Sequence, residues 1–419
     1  MRRRDFLAAS ALTGAILPVR RAFADDVVPA KGRKFIFVVN YGGWDPTRVL
    51  APEFDNPNVD MERDAGLATV GGISFTEHST RPSVTTFMHA WHERMLILKG
   101  VLVPSVAHEN CLRLCMTGST RQDASDWPAI MGGMQGADFS LPHVVAAGPS
   151  YPGEFGAFVT RTGTSGQLPA LLDGSIVGWS DTPAQAPSSR AEAIMDRYLQ
   201  GRIAGWNLGV SPGRDAELGA AYAAAHDRAT SLKGLRTLVN WSGSAGFAEQ
   251  VDFAIDALSL GVSRCVTLSF SYNGWDTHIY NDVYQSQNFE ALYSGLGTLM
   301  EKLAALPGEA GGTMADETVV VVLSEMGRTP QLNAGQGKDH WPYTSMMIVG
   351  GGITGDRVVG NYDKLYYGGT LDLASGDPDD DSGHSLSSDV VGATLLAVAG
   401  VDSEEFLPGV ARLDGVVVG

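Results

Sequence analysis

Five short stretches of the chain carry carboxylates or imidazoles, four of them beside glycine, tryptophan or proline. They are Gly42-Gly43-Trp44-Asp45, Val106-Ala107-His108-Glu109-Asn110, Gly274-Trp275-Asp276-Thr277-His278, Ser324-Glu325-Met326-Gly327-Arg328-Thr329-Pro330 and Asp339-His340-Trp341-Pro342. Any one of them alone reads as a polar surface loop. Together they raise a question of charge, because carboxylates gathered in one pocket repel one another unless something positive lies among them. A mixed set of Asp, Glu and His, with no thiolate required, suits Zn²⁺, Mn²⁺ or a similar divalent ion. Two such ions about 3.5–4 Å apart can clamp both oxygens of an in-line displacement at phosphorus or sulfur.

Five apolar segments could deliver these loops to one place. Lys34–Asn40, Met95–Leu98, Arg264–Ser271, Thr318–Leu323 and Ser345–Val349 are short, rich in Val, Ile, Leu and Phe, and bounded by turn residues, as buried strands are. Helical periodicity marks Ala216–Asn240, Ala248–Leu260, Val283–Leu306 and Ser388–Ala399. Apolar strands alternating with helices predict an α/β sandwich, with a mostly parallel sheet covered on both faces. In such sheets ligands bind beyond the carboxyl ends of the strands. The motifs follow the strands there: Asp45 after the first, His108 after the second, Asp276 and His278 after the third, and Glu325 after the fourth, with Asp339 and His340 beyond it. Between about 135 and 213 the pattern fails, since the stretch is rich in Gly, Pro, Ser and Thr with helical spacing only at Ala191–Leu199. That stretch is expected to be an irregular insertion over one end of the sheet.

Arg3-Arg4-Asp5-Phe6-Leu7, the apolar run Ala8–Leu17 and Ala22-Phe23-Ala24 form a twin-arginine leader with a small-residue cleavage site. Residues 1–24 are therefore expected to be removed, and the mature chain to be periplasmic or extracellular. The full chain of 419 residues has a formal charge of −17, and loss of a leader holding five arginines makes it more acidic. Such a field opposes nucleic acid and anionic membrane surfaces. No further segment reads as transmembrane. Cys111, Cys115 and Cys265 are an odd number and read as buried free thiols. Gly350-Gly351-Gly352 follows a strand without the dinucleotide fingerprint, so a glycine-rich strand end passing close to the site is a better account of it than a nucleotide-binding oxidoreductase.

The motifs GGWD, GWDTH, SEMGRTP and DHWP, in that order behind a twin-arginine leader, resemble the bacterial family called domain of unknown function 1501, in the alkaline phosphatase and sulfatase superfamily. The resemblance implies one alkaline phosphatase-like αβα domain over 25–419, a divalent-metal site, and phosphatase, sulfatase or phosphomutase chemistry. By position, Asp45 resembles the aspartate that bridges metal and nucleophile, Asp276 and His278 the Asp and His pair of one metal, Glu325 the strand-end ligand, and His340, with Asp339, the late histidine.

The sequence also departs from that pattern. His278 is two residues beyond Asp276 rather than four, and Glu325 is followed by Met326 rather than His. His-Glu-Asn-Cys-Leu-Arg-Leu-Cys-Met-Thr-Gly resembles the nucleophile helix of sulfatases, yet His108 stands where their cysteine or serine would be. A histidine there is a metal ligand, an N-phosphorylated nucleophile or a sign of lost hydrolysis. Arg328 would bind a tetrahedral oxyanion bidentately or serve a structural ion pair. Two functions stand side by side. One is an exported metal-dependent hydrolase or transferase of an anionic phosphate or sulfate ester, small or polymeric. The other is a non-catalytic metal-binding partner of the same fold.

Overall fold

Lys34–Val39 reads Lys-Phe-Ile-Phe-Val-Val and is buried along its whole length. Ile36 and Val38 enter one apolar layer, while Phe35, Phe37 and Val39 enter another. A strand whose successive side chains all find a core must sit in the middle of a sheet with helices on both faces. The computed structural model describes residues 32–136, 138–162, 187–208, 214–235 and 246–418, so the leader at 1–24 lies outside the described residues.

The main sheet has eight strands: β1 Lys34–Val39, β4 Met95–Leu102, β5 His143–Val145, β6 Val159–Arg161, β7 Cys265–Ser269, β8 Thr318–Leu323, β11 Tyr343–Gly350 and β12 Arg357–Val359. Three two-stranded ribbons sit outside it: β2 Gly66–Val70 with β3 Ile73–Glu77, β9 Gly327–Arg328 with β10 His340–Trp341, and β13 Thr370–Leu371 with β14 His384–Ser385. The order across the main sheet is β12-β4-β11-β8-β1-β7-β5-β6, and β11 alone runs antiparallel to its neighbours. Helices Pro82–Trp91, Phe247–Ser259 and Asn281–Ala305 cover one face. His108–Thr117, Trp127–Gly133 and Ser388–Val398 cover the other. This is the layered, mainly parallel α/β arrangement expected from the sequence.

The five expected strands are all present, with ends shifted by up to four residues. The stretch from 135 to 213 departs from expectation, because its first part supplies β5 and β6, which extend the sheet edge beyond β7. Strands of three residues are too short for periodicity to mark them. Helix Ser189–Leu208 follows, while 163–186 and 209–213 lie outside the described residues. Among the described residues, no helix is long and apolar enough to cross a membrane. Cys111, Cys115 and Cys265 are buried and unpaired.

The reversed direction of β11 positions the chemistry. β8 ends at Leu323, the chain loops through 324–342, and β11 re-enters the sheet alongside β8. Both ends of that loop therefore stay at one rim, beside the ends of β1 and β7. Within the loop, β9 and β10 pair so that Arg328 stands opposite His340.

Candidate metal centre

The floor of the centre is a turn made by two glycines. Gly42 and Gly43 follow β1 with φ of 124° and 76°, a region that side chains resist. A Cβ on Gly42 would also stand 2.9 Å from the backbone nitrogen of Asp276. The turn aims successive amides at the Glu325 carboxylate, which accepts from Gly42 N at 2.9 and 3.1 Å and from Gly43 N at 3.3 Å. Ser324 Oγ adds a bond at 3.1 Å. Glu325 is fully buried, and its remaining interaction is with His108 Nδ1 at 2.7 Å.

Arg328 ties the neighbouring loops together. Its guanidinium is fully buried and donates to the carbonyls of Gly43 at 2.8 Å, Lys338 at 3.0 Å and Trp275 at 3.1 Å, to that of Gly42, and to Asp276 Oδ1 at 2.6 Å. Burial would raise the Asp276 carboxyl, but the hydrogen bond and charge of Arg328 outweigh it and bring it down to about 2. Asp276 is therefore an anion held in one orientation at the rim.

Three imidazoles converge on that anion. His278 Nε2 lies 3.1 Å from Asp276 Oδ1, His340 Nε2 lies 3.2 Å from the same oxygen, and the two Nε2 atoms are 3.1 Å apart. His108 Nε2 stands 3.5 Å from Asp276 Oδ2, buried and without a hydrogen-bond partner. His108, Asp276 and His340 each offer one ligand atom within 4.8 Å of the others. The far nitrogen of every ring is occupied: His108 Nδ1 by Glu325 at 2.7 Å, His278 Nδ1 by Asp339 Oδ1 at 2.7 Å, and His340 Nδ1 by the carbonyl of Val106 at 2.8 Å. A neutral imidazole that donates from Nδ1 presents a lone pair at Nε2. Were all three rings neutral in this way, three lone pairs and a carboxylate would face one another, an arrangement that a cation relieves.

The spacing fits one. With metal–nitrogen bonds of ~2.0–2.1 Å, ligands around a tetrahedral ion stand about 3.3 Å apart. The three separations among Asp276, His278 and His340, at 3.1, 3.1 and 3.2 Å, are of that size. Outer partners that fix each ring are what metal-bound histidines use. Asp276, His278 and Asp339 are exposed and His340 is half-buried, so the centre opens to solvent.

Several sequence expectations need correction. Asp45 does not reach the cluster: its fully buried carboxylate accepts from Asn281 Nδ2 at 2.8 Å, pairs with Lys338 Nζ at 3.0 Å and Arg48 at 3.5 Å, and accepts from Thr47 Oγ1 at 2.6 Å. Glu325 meets the Gly42 and Gly43 amides and His108 Nδ1, and Asp339 Oδ1 meets His278 Nδ1, so both carboxylates stand behind imidazoles. Arg328, expected to bind an oxyanion or serve a structural ion pair, is buried, with every nitrogen on a carbonyl or Asp276, so it stands as a clamp between loops. His108, expected as a nucleophile or a ligand, takes the geometry of a ligand. Sequence reading missed the Val106 carbonyl, which carries no side-chain signal, and Asn281, four residues past Thr277 and bonded to it at 2.7 Å.

Residues 215–373 match a family model described as a protein of unknown function, DUF1501. That span holds Asp276, His278, Glu325, Arg328, Asp339 and His340, whereas Asp45 and His108 precede it. No curated protein matches the sequence. Similar solved structures include a protein of the alkaline phosphatase superfamily from Vibrio parahaemolyticus, at 10% identity over 99% of this chain and 78% of that one, with a TM-score of 0.39. Another is Ps i-CgsB in complex with a neocarrahexaose, at 12% identity over 91% of this chain and 75% of that one, with a TM-score of 0.37. A third is the phosphonate monoester hydrolase of Agrobacterium radiobacter, at 9% identity over 90% of this chain and 77% of that one, with a TM-score of 0.33.

Proposed function

We propose that this chain is an exported, divalent-cation-dependent hydrolase of a phosphate or sulfate ester, with the cation held by His108, Asp276 and His340 and with His278 beside the last two. The observation that carries it is the convergence of three Nε2 atoms on Asp276 while each Nδ1 is held by Glu325, Asp339 or the Val106 carbonyl. A Zn²⁺ or Mn²⁺ ion at that point would supply Lewis acidity to a water and to an ester oxygen.

The protein's own groups define the rest. Glu325 and Asp339 keep the ring protons on Nδ1, which leaves the inward nitrogens free to coordinate. Arg328 holds Asp276 ionised, so that carboxylate is a ligand and not a proton acceptor near neutral pH. Burial pushes the Cys111 thiol up to about 11 and the Cys115 thiol well above its usual value, so neither helix cysteine is an ionised nucleophile. With His108 turned into the cluster, water is the attacking group and no covalent intermediate is required. The leader supports export to the periplasm or beyond.

The test is metal analysis of protein purified without chelator, joined to turnover of aryl phosphates and aryl sulfates. About one equivalent of a transition metal, lost together with turnover in His278→Ala, is expected. Less than about a tenth of an equivalent, with no uptake on reconstitution, rejects the proposal. A full equivalent with no turnover on either ester favours the metal-holding, non-catalytic alternative.

A further inference from the structure

We infer that Ile279, Tyr280, Val283 and Tyr284 form a shelf that seats an uncharged ring of the substrate beside the cation centre, an inference that rests on the function proposed above. These four large apolar residues fall within six positions directly after His278, yet they are 55, 57, 54 and 37% exposed. Single exposed apolar residues are ordinary, but a contiguous group at the rim of a polar centre marks a contact surface. The rings of Tyr280 and Tyr284 stand 6.4 Å apart at 71° to each other, which leaves faces and edges open to a further ring.

The backbone holds the shelf against its own preference. Tyr280 sits at φ 50° and ψ 44°, in the left-handed region that a bulky residue enters only under constraint. Facing it, Gln336 has φ 57°. Asn281 N donates to the Gln336 carbonyl at 2.8 Å, and Tyr280 N to that of Gly335 at 3.3 Å. Gly337 passes so close that a Cβ would stand 1.9 Å from the carbonyl carbon of His278. The constraint thus joins the shelf rigidly to a ligand of the centre. Beside His108, Tyr41 is 45% exposed with its ring 5.3 Å from the imidazole, a further apolar surface at the centre.

Charge narrows the occupant. Asp276 and Asp339 are exposed at the rim, and among the described residues the one Lys or Arg that pairs with the cluster is the buried Arg328. A polyanion would meet these exposed acids. A single anionic head on the cation, with an uncharged ring lying on the tyrosines, meets both surfaces. Aryl and saccharide rings share that chemistry.

The test uses the zinc-loaded full chain and three probes, phenylphosphonate, glucose 1-phosphate and methylphosphonate, titrated by calorimetry. A ring-bearing probe is expected to bind about tenfold more tightly than methylphosphonate. Val283→Ser and Tyr284→Ser, two exposed positions that leave the ligands untouched, are expected to reduce that ratio to about twofold with methylphosphonate unchanged. The aryl and sugar probes separate the two ring sources. A ratio near one in the wild type, or one preserved in both variants, overturns the shelf. Should the zinc-loaded chain not bind methylphosphonate at all, the ester-hydrolase reading fails on its own. The shelf is then read by saturation-transfer NMR with phenol and methyl β-glucopyranoside, where transfer equal in wild type and variants, or absent from both, overturns it.

Discussion

Replacing Glu325 by glutamine changes one atom and tests the whole centre. Four donors point at the Glu325 carboxylate: Gly42 N, Gly43 N, Ser324 Oγ and His108 Nδ1. A carboxylate accepts from all of them, but an amide has one oxygen to offer. If the new oxygen serves the glycine amides, the amide nitrogen faces His108 Nδ1. The ring must then accept at Nδ1 and carry its proton on Nε2, the atom that points at Asp276. If the amide is turned the other way, a buried donor meets the glycine amides at a cost of about 1–3 kcal/mol. Loss of an outer partner of this kind lowers metal affinity about 10- to 100-fold, or roughly 1.4–2.7 kcal/mol. Competition against a fluorescent zinc chelator at fixed pH measures the affinity, with circular dichroism as the check on folding. The same substitution in a His108→Ala background should cost nothing further, since its effect runs through that ring. An unchanged zinc affinity in Glu325→Gln, or an equal loss in both backgrounds, would refute the assignment of Glu325 as the partner that orients His108.

Asp45→Asn leaves Lys338 buried without its carboxylate while Arg48 keeps Asp282, so it should cost about 3–5 kcal/mol in urea unfolding, while the folded fraction keeps its full metal content; a lost equivalent would restore Asp45 as a ligand. Arg328→Met orphans four loop carbonyls and frees Asp276, and a loss of about 3–5 kcal/mol with weakened zinc binding is expected from denaturation and chelator competition. Gly42→Ala must place a Cβ against Asp276 at a positive φ, and a cost of about 1–3 kcal/mol should appear as a lowered Tm. For pH, the hydrogen bond to Glu325 raises His108 above the usual imidazole range, against the opposing effect of burial. The metal-free protein therefore gains stability from the charged ring at low pH and loses it as pH rises through the shifted value. Coordination needs the neutral ring, so the Tm gain on adding zinc should grow from about pH 6 to pH 8; a gain that is flat or falls across that range contradicts the site.

The sheet was legible because its central strands are apolar without interruption: Thr318–Leu323 is buried at every position, as a strand with two covered faces must be. The three-residue strands β5, β6 and β12 toward the margins of the sheet were hidden, since three residues carry no period. Which loops meet was legible from the rule that ligands gather at strand ends. Which oxygens coordinate was not. Asp45 and Asp276 both follow a Gly-Trp pair, yet one is spent on Lys338 and Asn281 and the other opens to solvent, a difference set by partners far away in sequence. The same holds for Glu325, whose acid reads as a ligand until the Gly42 and Gly43 amides are seen to claim it.

Arg328 touches loops that follow three different strands, and the inward imidazoles come from residues as far apart as His108 and His340. No partly formed stretch of the polypeptide can bring these groups within bonding reach, because each closure must first overcome the entropy of the long chain between them. On the proposed function, uptake of an ion would come at the end of maturation, once the sheet and its clamp exist, and the open rim would let the finished molecule exchange that ion with the surrounding fluid.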